Sequence, residues 1–204
     1  LCDFGVNVIA DITASCKISK ESNKDIKVIH TFNLYKAIEF CVRIFRASCM
    51  LENKPFVIKD YINIPENTYN NSIDEVKFKQ VLINLLSNSF KFTLQGEISV
   101  NASKIEDKIR IIIQDTGIGF DVKEFTPLEP YKIYEKNQKY NKNGSGLGLC
   151  IISDILTNYN SKLNFDSQMG KWSKFWFDIE NSTQDISNIE SDTLLSPKPT
   201  LIII

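Results

Sequence analysis

The sequence lacks any excess of positive or negative residues: 24 Lys and Arg stand against 25 Asp and Glu, for a formal net charge of -1. Nucleic acid and anionic membrane surfaces both reward a basic face, so charge gives no reason to expect either as a partner. Long apolar runs are missing too. None approaches the roughly 20 residues of a membrane span, and no signal peptide opens the chain. The five cysteines, Cys2, Cys16, Cys41, Cys49 and Cys150, are scattered, with no CxxC pair to hold zinc and no dense disulfide framework. A reducing, intracellular setting is expected. Because the first residue is Leu1, the chain is expected to be a cytoplasmic segment of something longer, its membrane anchoring left open. There is no P-loop signature and no strand-borne dinucleotide fingerprint with a downstream acid. Glycine is scarce, at eight residues.

What is there begins with size: 204 residues with 43% hydrophobic content suit one domain plus extras. Residues 1–31 look like the end of one element and a connector. In "FNLYKAIEFCVRIFRASCMLENK" the apolar positions Leu34, Ala37, Ile38, Cys41, Val42, Ile44, Phe45 and Cys49 recur at three and four, an amphipathic helix. "PFVIKDYINI" reads as a strand begun by Pro55, and "PENTYNNS" as an exposed loop. A second helix, "DEVKFKQVLINLLSNSFKFT", is opened by Ser72 or Asp74 as cap. "EISVNASKI" and "DKIRIIIQDT" form an antiparallel hairpin about "EDK". The polar stretch over 117–146 is longer than most connections and reads as a lid. After it come a glycine segment, a third helix, and the strands "KLNFDSQ" and "SKFWFDIE". Past 181 the composition is that of a polar linker, so the domain is expected over 32–180.

On a wheel the second helix carries Lys77, Gln80, Asn84, Ser87, Asn88 and Lys91 on one narrow face, with Phe78, Leu82, Leu85, Leu86 and Phe90 opposite. Solvated faces are normally filled with Glu, Lys, Gln and Arg, whereas asparagine competes with the helix backbone. Two asparagines one turn apart need a reason. Their neutral oxygens suit a magnesium ion that already carries phosphate oxygens and waters, and Lys91 adds positive charge for those phosphates.

"DTGIGF", from Asp115 to Phe120, closes an isoleucine strand. A carboxylate there can accept from an exocyclic amine such as that of adenine, and Gly117 and Gly119 let backbone lie close to a flat ring. "GSGLGL", residues 144–149, places three glycines before an apolar helix. Its bare amides and the helix start form an anion site for phosphates.

In this order "FKQVLINLLSNSFKFT", "DTGIGF" and "GSGLGL" resemble the N, G1 and G2 boxes of the GHKL ATP-binding domain, in the version used by sensor histidine kinases. "LEPY", 128–131, is similar to the F box, with Leu and Tyr in place of its two Phe. The resemblance covers about 32–180. It implies an α/β two-layer sandwich, a mixed sheet covered by helices on one side, with a mobile ATP lid.

It further implies Mg2+ and ATP as cofactors. Asn88 would be the metal ligand and Asn84 its support, and Asn84 and Lys91 would be the catalytic pair. Phe92 would line the adenine side and Asp115 would read the adenine amine, with Gly117 and Gly119 close to the base. Tyr131 and Lys142 would reach the nucleotide from the lid, although Lys136 and Lys139 compete with Lys142 for the terminal phosphate. Gly144, Ser145, Gly146, Leu147, Gly148 and Leu149 would cradle the phosphates. The implied partners are a dimerisation and phosphotransfer hairpin of the same protein, ending within residues 1–31, a receiver domain in cis or trans, and a second copy in a full-length homodimer. No nucleic acid is expected.

Three departures stand out. No phosphoacceptor-histidine motif is found, and the lone His30, just before the first strand, reads as structural. A late glycine of the family pattern is Trp172. "TLIII", 200–204, is a candidate first strand of a receiver domain. Two readings result, a kinase catalytic domain and a degenerate nucleotide- or partner-binding module; the intact boxes favour the first. Related GHKL ATPases place a general-base glutamate where Asn84 stands. Asparagine cannot take the proton, so the resemblance implies slow hydrolysis.

Overall fold

The structure, a computed structural model, describes residues 30–123 and 148–182. Its first regular piece is the two-residue strand β1 (Phe32–Asn33), and Asn33 also caps α1 (Leu34–Leu51) by accepting from the Lys36 N–H at 2.8 Å. There follow β2 (Phe56–Asn63), β3 (Tyr69–Asn70), α2 (Glu75–Phe92), β4 (Gly96–Ile105) and β5 (Lys108–Asp115). After the break come α3 (Gly148–Thr157), β6 (Asn164–Gln168) and β7 (Trp172–Glu180). Of the two cap candidates for α2, Asp74 takes the role, accepting from the Lys77 N–H at 3.0 Å. A carboxylate at this end also complements the helix dipole.

Five strands form a mixed sheet in the order β2-β4-β5-β7-β6. Only the β2–β4 pair is parallel, and the chain crosses between those strands through α2. β4 and β5 make the expected hairpin. Ile105 pairs with Lys108, so the turn is just Glu106 and Asp107, with Glu106 at φ 53°.

Period-two alternation aims Ile98, Val100, Ala102, Ile109, Ile111, Ile113, Phe175, Phe177 and Ile179 to one face, where α1 and α2 cover them. The helices answer with Leu34, Ile38, Phe45, Phe78, Leu82 and Leu85, all fully buried. Each such side chain contributes roughly 1.5–3 kcal/mol relative to exposure. Phe78 bridges the layers, its ring 6.2 Å from that of Phe177. The other sheet face is polar and carries a two-bond ion pair, Arg110 to Asp178, at 2.7 and 2.8 Å. The α/β sandwich with helices on one side is therefore the observed architecture.

One expectation is corrected. "PENTYNNS" is not an exposed loop: Tyr69–Asn70 pairs antiparallel with β1, and Thr68 and Asn70 are buried. The reason is Asn70, whose Nδ2 donates to the Glu180 carbonyl at 2.8 Å while its Oδ1 accepts from the Ser72 N–H, also at 2.8 Å. A turn-forming residue is here recruited to bind the end of β7, and the loop is pulled in with it.

Candidate functional site

Asp115 ends β5 with only 2% of its surface exposed. Its Oδ2 accepts from the Ser89 hydroxyl at 2.8 Å, and its Oδ1 from the Gly117 N–H at 3.0 Å. Burial raises its pKa, and donors from Ser89, Gly117 and Ser173 work against that rise. The turn that follows is built on close backbone approach. A Cβ on Gly117 would stand 2.5 Å from the Phe92 carbonyl oxygen. One on Gly119, at φ +59°, would stand 2.3 Å from that of Gln168. Both close approaches are to the chain's own carbonyls, whereas the sequence expectation is approach to a flat ring. The Ile118 N–H donates to the Phe92 carbonyl at 3.1 Å, so the end of α2 and the Asp115 turn are stitched together.

Along α2 the polar residues fall in one row, but that row is not a solvated face. Gln80 is 5% exposed, and Asn84, Ser87, Asn88 and Lys91 are half-buried. α3 packs against this helix and provides part of the cover. Asn84 Nδ2 donates to the Gln80 carbonyl at 2.9 Å, and its amide oxygen lies toward α3. That Oδ1 would lie 3.7 Å from a Cβ on Gly148, so the first residue of α3 sits beside it. Burial lowers the pKa of Lys91, and its Nζ lies 5.9 Å from the centroid of the Phe92 ring. Among the described residues no group of three or more His, Cys, Asp or Glu converges to hold a metal. Neutral amide oxygens are the donors this row offers.

Asn84, Asn88, Lys91, Phe92, Asp115, Gly117, Gly119, Gly148 and Leu149 are thus distributed over α2, the Asp115 turn and the start of α3. The remaining candidates, Tyr131, Lys142, Gly144, Ser145, Gly146 and Leu147, lie outside the described residues, as do the lid with Lys136 and Lys139 and the segments 1–29 and 183–204. Three further groups, which the sequence did not single out, serve the corner. Ser89 and Ser173 face Asp115. Ser167 accepts from the Phe120 N–H and donates to the Trp172 carbonyl, both at 2.8 Å. A signal for Ser89 was present: it breaks an apolar stripe of Phe78, Leu82 and Leu85 at helical spacing. At Trp172, where the family pattern has glycine, the backbone takes part in the same corner. Its backbone oxygen makes the contact to Ser167, and that contact does not depend on which side chain is present.

The mixed sheet, its one-sided helices and the carboxylate–glycine corner define an α/β sandwich of the GHKL type. The chain belongs to the histidine kinase-, DNA gyrase B- and HSP90-like ATPase family, whose model matches residues 73–183. It is 28% identical to the autoinducer 2 sensor kinase/phosphatase LuxQ of Vibrio vulnificus (strain YJ016) over 98% of this chain and 24% of the relative. To the peroxide stress-activated histidine kinase mak2 of Schizosaccharomyces pombe it is 30% identical over 91% of this chain and 8% of the relative. It therefore spans a quarter or less of these two relatives. Among solved structures, full-length ShkA in complex with AMPPNP superposes with a TM-score of 0.64 at 18% identity, covering 86% of this chain and 35% of that one. The catalytic domain of histidine kinase ThkA gives 0.60 at 22%, covering 74% and 95%. At those identities the likeness is one of fold. No described helix is long and apolar enough to cross a membrane.

Proposed function

We propose that this chain binds Mg-ATP in the space bounded by α2, the Asp115 turn and the start of α3, and passes the γ-phosphoryl group to a histidine on a dimerisation hairpin, in two-component signalling. The observation that carries the reading is Asp115, a carboxylate buried to 2% exposure and fixed by Ser89 and Gly117 in a turn with no room for a Cβ. A buried ionisable group held this way is a site feature, since packing alone is better served by an apolar residue. In this reading Asp115 accepts from the adenine amine, Phe92 lines the base, and Gly117 and Gly119 let the backbone approach its plane.

Asn84 and Asn88 fit a magnesium ion held mainly by phosphates and water, because Asn84 holds a neutral oxygen toward α3, beside the backbone of Gly148. Asn88 would be the ligand and Asn84 its support. The ion, when bound, neutralises phosphate charge. Lys91, already less basic through burial, meets the phosphates as a partly desolvated cation, whose pull is stronger than in water. The glycine segment 144–148 cradles the same phosphates. The relatives, a sensor kinase/phosphatase and a peroxide stress-activated histidine kinase, support this assignment, as does the AMPPNP complex of ShkA. Phosphoacceptor hairpin, receiver domain and homodimerisation belong to the same proposal.

No carboxylate stands at Asn84 to activate water, so bound ATP waits for a better nucleophile. The test is the full chain with Mg-ATP, alone and with a supplied hairpin fragment carrying a phosphoacceptor histidine. Calorimetric binding, slow hydrolysis, no self-labelling and acid-labile label on the hairpin are expected. Absence of binding at millimolar nucleotide, brisk hydrolysis, or stable label on His30 would overturn it, and binding without transfer to a cognate hairpin would favour the degenerate module.

A further inference from the structure

Ser89 is out of place by helix logic. It continues the buried stripe of Phe78, Leu82 and Leu85 and is itself 2% exposed. A hydroxyl at such a position loses its hydration, so an apolar residue would serve packing better. The hydroxyl donates to Asp115, 26 residues away, at 2.8 Å. That bond falls on Oδ2, whereas the Gly117 N–H holds Oδ1. The carboxylate is thus held by three elements, the helix, the strand-end turn and, through Ser173, β7.

We infer that Ser89 is a positioning residue for nucleobase recognition: by anchoring one oxygen of Asp115 it aims the carboxylate at the base amine and so sets how much that amine contributes to binding. The inference rests on the nucleotide reading above and deepens it. Without the hydroxyl, Asp115 keeps its charge, its Gly117 bond and its Ser173 donor but loses the helix-borne donor to Oδ2. The carboxylate is then freer to turn about its last side-chain torsion, which is a broad one. A carboxylate that turns meets the amine less often in line.

The measurement compares two ligands, Mg-ATP and the analogue that lacks the exocyclic amine, on the full chain, by calorimetry. In the unaltered chain the ratio of their dissociation constants reports the amine contact and is expected to be about tenfold or more, as for a hydrogen bond to an ionised acceptor. Ser89→Ala is expected to lower that ratio by about threefold or more, chiefly through ATP. Ser89→Thr, which restores a hydroxyl, should recover it. A merely structural role would weaken both ligands alike and leave the ratio unmoved, and that result overturns the inference. If Ser89→Ala fails to fold, Ser89→Cys keeps the volume with a weaker donor, and an unchanged ratio there refutes it equally. An unaltered chain that binds neither ligand, or both equally, instead defeats the nucleotide reading itself.

Discussion

Replacing Asp115 by asparagine keeps the shape of the side chain and removes its charge, so it separates what the carboxylate does for the fold from what it does for a ligand. Its two oxygens are held by the Ser89 hydroxyl at 2.8 Å and the Gly117 N–H at 3.0 Å, with Ser173 as a further donor. In Asp115→Asn the amide oxygen can keep the Gly117 bond. The amide nitrogen then faces Ser89, whose hydroxyl can rotate to accept. Hydrogen bonds to charge weaken to neutral ones, but the burial of an ionised group in a site of 2% exposure is relieved. The two effects oppose, and the net change in stability should stay within about 1 kcal/mol.

Ligand binding has no such compensation. On the proposed reading, a base amine that meets an ionised acceptor would then meet a neutral amide, a loss of about 1.5–3 kcal/mol, or roughly 10- to 150-fold in Kd. The pH dependence carries a sign of its own. Because burial raises the pKa of Asp115, the folded chain holds that proton more tightly than the unfolded one. This contribution is full below the ordinary carboxylate pKa and is lost as pH rises through the raised value. The Asp115→Asn chain lacks that slope. Denaturant titrations across pH, with calorimetry of Mg-ATP, read all three quantities. A stability loss beyond about 3 kcal/mol with unchanged affinity would show that Asp115 is a structural strut, and the site argument would fail.

Two further outcomes follow from geometry alone. Gly170→Ala meets only the strain of φ +77° with nothing within 4 Å, about 1–2 kcal/mol. Gly119→Ala adds a 2.3 Å clash with the Gln168 carbonyl to similar strain and should lose about twice that or more, so equal midpoints for the two in chemical denaturation would refute the close-approach argument. The Arg110–Asp178 pair depresses the Asp178 pKa, chiefly through its hydrogen bond. Its contribution, about 0.5–1 kcal/mol for a partly exposed pair, should hold above the ordinary carboxylate pKa and vanish as pH falls through the depressed value. Denaturation of Asp178→Asn beside the unaltered chain, at neutral pH and in acid, checks this by whether their difference closes.

Long periodic segments were legible in the sequence because one physical signal decided them. α1, α2 and the β4–β5 hairpin are all set by which residues must face the core, and period alone reveals that. The site was half legible. Asn84, Asn88 and Lys91 stood out as residues that a solvated helix face does not need, and Asp115 as a carboxylate that closes an isoleucine strand. What escaped were groups whose role depends on a distant partner. Asn70 reads as a turn residue until β7 arrives to take its amide, and Ser89 reads as a small core residue until Asp115 stands beneath it. Ser167 and Ser173 are ordinary strand positions until the Asp115 turn lies against them. Local sequence carries no record of a hydrogen bond 26 or 110 residues away.

The placement of those two long-range bonds gives α2 a mechanical character. β5 and β7 run antiparallel, with Asp115 paired to Ser173 and Lys108 to Glu180, so Glu180 lies at the end of the sheet opposite the Asp115 corner. At that far end Asn70 and Ser72 bind the Glu180 carbonyl, and Asn71 takes the Ser182 hydroxyl as acceptor for its N–H, which ties the β1–β3 ladder at the start of the described chain to the end of β7. α2 begins two residues after Ser72, at its cap Asp74, and ends at Phe92, whose carbonyl holds Ile118 in the corner. Its 18 residues cover about 27 Å. One helix is therefore tied at one end to the end of β7, and at the other to the turn where Asp115 sits. It also carries Asn84, Asn88 and Lys91 between these ties. A rotation of α2 about its axis by even part of a residue step would move all three side chains together relative to Asp115, whereas a shift of the surrounding loops would not. The residues that tie the two ends, Asn70 through the Glu180 carbonyl and Ile118 through the Phe92 carbonyl, are accordingly where the geometry of the whole row is set.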